Sequence, residues 1–140
     1  MYQRILVAIE NSAADQTILR HVEVLARLTG AELLLVHVAD GFAARHFKDL
    51  QLRESEEMRD DRAYLDRLAS ELGAHDLHVS TELAMGDPAT ELIRLAKTRG
   101  ADLIAMSTHG HRGLNDLIRG TTVNRVRHEV TIPVLLLRAQ

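Results

Sequence analysis

The chain has 140 residues, a formal net charge of -3 at pH 7, 46% hydrophobic and 3% aromatic residues, and no cysteine. That length buries a core as one domain, taken as 1–140. The slightly acidic balance and the scarcity of aromatics argue against nucleic acid as a partner, and the lack of cysteine removes disulfides, thiolate zinc sites and cysteine nucleophiles.

The opening MYQRILVAIENS has an apolar run too short for a signal-peptide core or a bilayer span of about 20 residues. A cytoplasmic protein with no membrane partner is expected. Ile5-Leu6-Val7-Ala8-Ile9 is a continuous apolar run closed by Glu10-Asn11-Ser12, the pattern of a strand buried on both faces of a parallel sheet. Ile18, Val22, Leu25 and Leu28 recur at helical spacing, with Gly30 as the stop. Residues 33–38 form a second apolar run. Residues 42–57 are charged and weakly patterned, and lead into a helix whose apolar face is Met58, Leu65, Leu68 and Leu72, ending at Gly73. The Arg/Glu/Asp-rich stretch 53–67 reads as a solvated helix face.

Residues 78–83 alternate, which predicts a third strand near the edge of the sheet. Met85-Gly86-Asp87-Pro88 reads as a turn, with Asp87 capping a helix and Pro88 at its first position. That helix carries Leu92, Ile93, Leu95 and Ala96 and stops at Gly100. Residues 102–106 predict strand four, and a glycine-containing loop leads to a helix over 120–130. Residues 132–137, opening on Ile132 and closing on Leu137, predict strand five. Five strands alternating with four helices through short connections imply a doubly wound α/β fold with a parallel sheet and helices on both faces.

In such sheets ligands bind beyond the carboxyl ends of the strands, where the winding reverses. The richest such position is 107–122, with Ser107-Thr108-His109-Gly110-His111-Arg112-Gly113 and, later, Gly120-Thr121-Thr122. Glycines allow close backbone approach to an anion, and hydroxyls at a helix start add donors where the helix dipole favours negative charge. A phosphate chain suits this surface. The plainer alternative is a turn at Gly110 and Gly113 and a cap at Thr121. No Walker loop, G-x-G-x-x-G, G-x-S-x-G or H-E-x-x-H occurs. His109 and His111 lack a third metal ligand by spacing, so no protein metal site is assigned. His37, inside an apolar strand, reads as a satisfied core or pocket-wall residue. No catalytic residue is assigned. Asp40 and His109 are the only candidate bases, so ATP hydrolysis is expected to be weak at most.

At this loop the sequence resembles the universal stress protein family, over essentially its whole length. The resemblance rests on Ile5-Leu6-Val7-Ala8-Ile9-Glu10-Asn11-Ser12, Leu35-Val36-His37-Val38, Gly86-Asp87-Pro88 and Ile132-Pro133-Val134-Leu135. It rests also on the spacing G-x-x-G, nine residues, G-[ST] of the ATP-binding members. Gly110 matches the second glycine, and Gly120-Thr121 match the end. Ser107 stands at the first glycine, and Glu10 where the family usually has aspartate. The resemblance implies strand order 3-2-1-4-5 and a stress-response protein that binds ATP or a related adenine nucleotide. The implied nucleotide-binding set is Ala8, Ile9, Glu10, Val38, Met106, Ser107, His109, Gly110, Gly120, Thr121 and Thr122. Within it, Val38 and Glu10 face adenine and ribose, and Gly110, Gly120, Thr121 and Thr122 the phosphates. A phosphate-bound Mg or Mn ion is compatible with it. A homodimer through residues 132–137 is implied too, and an apolar terminal strand bearing Pro133 suits an edge that needs covering. Bound nucleotide would alter contact with a protein partner that the sequence does not name. The alternative is a nucleotide-free dimeric interaction module of the same fold; a slow ATPase or nucleotidyl transferase ranks third.

Overall fold

A computed structural model describes residues 1–40, 47–108 and 120–140, the side chains of 40 and 47–55 excepted. The elements run β1 (Arg4–Ala8), α1 (Asp15–Thr29), β2 (Glu32–Asp40), α2 (Phe47–Gly73), β3 (Val79–Gly86), α3 (Pro88–Thr98), β4 (Leu103–Thr108), α4 (Gly120–Glu129) and β5 (Val134–Arg138). The five strands form one sheet in the order β3-β2-β1-β4-β5, every pair parallel. The expected fold class and strand order are the ones observed.

Side-chain alternation divides the core in two. Ile5, Val7, Ile9, Leu33, Leu35, Leu103 and Ala105 pack under α1 and α2, against Ile18, Val22, Leu65 and Leu72. Leu6, Ala8, Leu34, Val36, Val38, Ile104 and Met106 pack under α3 and α4, against Leu92, Leu95, Val123 and Val126. The central strands are buried on both faces, which is why they read as unbroken apolar runs. The half-buried β3 and β5 are the edges.

Several expectations are corrected. The last helix starts at Gly120 as expected, but α2 starts at Phe47, within the stretch that showed little pattern. Its Leu, Gln, Arg, Glu and Met residues favour helix intrinsically, and that propensity needs no apolar period. On α1 the buried stripe is Ile18, Leu19, Val22 and Ala26, while Leu28 is 79% exposed. Met85 and Gly86 end β3, paired with Ala39 and Asp40, and are not turn residues. β4 runs to Thr108, so Ser107 is a strand residue paired with Leu137. β5 starts at Val134 because Pro133 has no N–H to donate; its carbonyl still accepts from the Ile104 N–H at 3.1 Å.

Candidate functional site

The chain leaves β1 toward β2 and β3 on one side and returns to β4 and β5 on the other, so the winding reverses between β1 and β4. The carboxyl ends of these two strands therefore border the crevice where open α/β sheets take ligands. The sequence-predicted Ala8, Ile9 and Glu10 lie at and just after the end of β1, Val38 near the end of β2, and Met106 and Ser107 near the end of β4. All six are buried. Gly120, Thr121 and Thr122 open α4; the first two are exposed and Thr122 is buried. His109, Gly110 and the rest of 109–119 lie outside the described residues, as do 41–46 and the side chain of Asp40.

Ser107 shares the parity of Leu103 and Ala105, and so sits on the α1/α2 side of the sheet. It is 1% exposed, and its Oγ has no hydrogen-bond partner among the described residues. A serine at this position therefore buries its hydroxyl. Met106 and Ala8, one residue earlier or later in phase, lie on the opposite side with Val38.

The turn after β1 is held by groups that the sequence reading did not single out. Asp15, fully buried in the first turn of α1, accepts the Glu10 N–H on Oδ1 at 2.9 Å. Its Oδ2 accepts the N–H groups of Asn11 at 2.9 Å and Ser12 at 3.2 Å. The Tyr64 hydroxyl on α2 donates to the same oxygen at 2.7 Å. Burial, and then the hydrogen bond to Asp15, push the Tyr64 hydroxyl well above its ordinary pKa. Ser12 Oγ lies 3.2 Å from Glu10 Oε2 and 3.3 Å from the Ala14 N–H. Asn11 adopts φ 63°, a left-handed conformation that asparagine tolerates better than most residues. A sequence signal existed: Ser12-Ala13-Ala14-Asp15 has the spacing of a capping box.

A second tie joins the same two regions. His37 is buried, with Nδ1 2.8 Å from the Ile9 carbonyl and Nε2 3.2 Å from Asp61 of α2. Asn11 Nδ2 donates to Asp61 at 2.9 Å. His37 is thus buried with both ring nitrogens partnered, satisfied as expected of a core or pocket-wall residue.

At the amino end of α3, Asp87 caps the helix by accepting the Thr90 N–H at 2.9 Å, with Pro88 at the first position, as expected. Arg125 of α4 donates to the same carboxylate at 2.7 Å and to Thr90 Oγ1 at 3.2 Å, so the two helices on this face are tied together. Hydrogen bonds from Thr90, and then from Arg125, hold the Asp87 carboxyl below its ordinary 3.8. A depressed carboxylate contributes stability that is complete above the ordinary value and is lost as pH falls through the depressed one. Asp87→Ala is therefore expected to cost about 1 kcal/mol at pH 7. The gap to wild type should close on acidification below about pH 4, as followed by urea denaturation at stepped pH.

Among the described residues no helix is long and apolar enough to cross a membrane. The chain matches the model of the universal stress protein family over residues 1–138. Universal stress protein MJ0577 of Methanocaldococcus jannaschii is 25% identical across 99% of this chain and 96% of its own. Its solved structure has a TM-score of 0.82 at 23% identity, covering 100% and 98%. A universal stress protein of Archaeoglobus fulgidus in complex with dAMP shares the fold at a TM-score of 0.68 and 22% identity, covering 96% and 97%. Another, in complex with cAMP, does so at 0.68 and 18%, covering 99% and 98%. With this sheet order, and with a match running almost from end to end, the chain belongs to the universal stress protein family.

Proposed function

We propose that this stress protein binds an adenine nucleotide, ATP first among them with Mg or Mn on its phosphates, and that it serves as a sensor or regulatory module in the cytoplasm. The observation that carries the reading is a convergence at one edge of the sheet. The buried ends of β1 and β4 border the switch point there, with the end of β2 beside β1, and Gly120-Thr121-Thr122 open the helix that follows β4. Apolar Ala8, Val38 and Met106 suit a base and Glu10 a ribose, while the first N–H groups and hydroxyls of α4 suit phosphate. The dAMP and cAMP complexes of proteins with this fold support an adenine nucleotide as the ligand class. His109 and Gly110 complete the proposed set.

The test is direct. Denatured, purified protein is expected to release an adenine nucleotide, or the emptied protein to bind ATP with saturable heat in calorimetry. Failure of both sinks the reading. The second reading, a nucleotide-free interaction module, draws on Ser107 and Glu10 at positions where the nucleotide-binding members usually carry glycine and aspartate. It expects no change in Tm with ATP and magnesium.

Under either reading the chain pairs with a second copy through β5. That strand is an edge of the sheet, with half-buried Val134, Leu135, Leu136 and Leu137. Its outer row of backbone groups needs a cover. Light scattering is expected to give twice the chain mass at micromolar concentration; a monomeric mass throughout that range counts against the pairing.

A further inference from the structure

The turn after β1 has the backbone geometry of an anion site, and it is already filled. The three successive N–H groups of Glu10, Asn11 and Ser12 point at one carboxylate, that of Asp15. Asn11, in the middle, has the left-handed φ of 63° that turns consecutive N–H groups toward a common point. Concavities of this kind bind phosphate and other oxyanions in many proteins. The Tyr64 hydroxyl supplies a fourth donor from α2, and the carboxylate is 0% exposed. Neither lysine nor arginine contacts it among the hydrogen bonds and ion pairs of the described residues; neutral donors alone satisfy it.

We infer that Asp15 is a built-in anion: it occupies the nest at the carboxyl end of β1 and thereby closes that end to a ligand's phosphate. Each donor that would grip an incoming oxyanion is committed to an internal one, and no exposed face of the carboxylate remains. The consequence for ligand orientation rests on the nucleotide reading above. The filled nest supplies a physical reason for the orientation that reading already assigns: the anionic end goes to the amino end of α4, whose opening Gly120 and Thr121 are exposed, because no free donors remain for it in the nest after β1. Asp15 acts through the backbone of the turn, so it is a positioning residue.

The test is chemical rescue. Asp15→Ala removes the carboxylate and leaves four buried donors facing a small polar cavity. The variant is expected to melt roughly 10 °C below wild type. Sodium formate, a carboxylate of the size deleted, should raise its Tm by several degrees with saturation, whereas sodium chloride of equal ionic strength should not. Wild type should respond equally to the two salts. Should Asp15→Ala fail to fold, Asp15→Ser, whose hydroxyl keeps one acceptor for the turn, is expected to show the same formate-specific rise from a smaller deficit. A purely structural aspartate would give a destabilised variant indifferent to which anion is present. A Tm equal to wild type, or a formate response no larger than that to chloride in the variant that folds, overturns the inference. These outcomes do not depend on nucleotide. A protein that binds no nucleotide yet shows formate rescue would retire the orientation argument and leave the filled nest standing.

Discussion

Replacing Gly120 by valine is expected to weaken adenine-nucleotide binding by about 100-fold or more, equivalent to about 2.7 kcal/mol, while Tm stays within a few degrees of wild type. Gly120 opens α4 and lies exposed, without the positive φ that would demand glycine. A Cβ built there meets nothing within 4 Å among the described residues. The described residues therefore leave room for an added Cβ, and the intrinsic cost of valine at a helix start is a few tenths of a kcal/mol at most. A phosphate reaching the first N–H groups of α4 would have to share that space with two methyl groups. Calorimetry gives the affinity and differential scanning fluorimetry the stability. Unchanged affinity in a folded variant would mean that phosphate does not pass Gly120, and a collapse of Tm would mean that the glycine is structural. Gly120→Ala, with one carbon, should show a smaller loss in the same direction.

Leu65→Ala is expected to cost about 3 kcal/mol and to lower Tm by roughly 10 °C. Leu65 is 0% exposed on α2 and belongs to the core formed with Ile5, Val7, Leu33 and Leu35 of β1 and β2. Truncation removes transfer free energy and leaves a cavity that a close-packed layer relaxes into only in part. The neighbouring helix turn carries Asp61 and Tyr64, which hold the turn after β1 through Asn11, His37 and Asp15. Loosening α2 should therefore also raise hydrogen exchange at the amides of Asn11 and Ser12. The matched control is Leu28→Ala on α1: that side chain is 79% exposed, and the change should fall within about 0.5 kcal/mol. Similar costs for the two variants in urea denaturation would contradict the burial described here.

Much of the carboxyl edge was legible because strands buried on both faces leave unbroken apolar runs, and ligands in open α/β sheets sit where those runs end. Glu10 and Val38 are placed by that rule, whereas Ala8, Ile9 and Met106 enter only through the family resemblance. Ser107 was harder. A small polar residue at the end of a run looks like the first residue of a loop, and only its pairing with Leu137 carries β4 on to Thr108. The α1 stripe went astray at Leu28, since spacing alone does not distinguish the buried Ala26 from an exposed leucine two residues on. Alanine carries little periodic signal, and the sheet beneath α1 decides which side of the stripe is covered.

The sequence by itself determined the class of fold and the number and chain order of its elements. These follow from local hydrophobic period and from punctuation by Gly30, Gly73, Pro88 and Gly100, information that each segment carries alone. Only the tertiary structure decided which residues of α2 reach the turn after β1. Asp15 and Tyr64 are 49 positions apart, and His37 and Asp61 are 24 apart; neither pair leaves a periodic trace. Asp15 meets Tyr64 because α1 and α2 share one face of the sheet, and His37 meets Asp61 because α2 packs over β2 on that face. A buried carboxylate is tolerated only where donors satisfy it; for Asp15 three come from the adjacent turn and the fourth from α2.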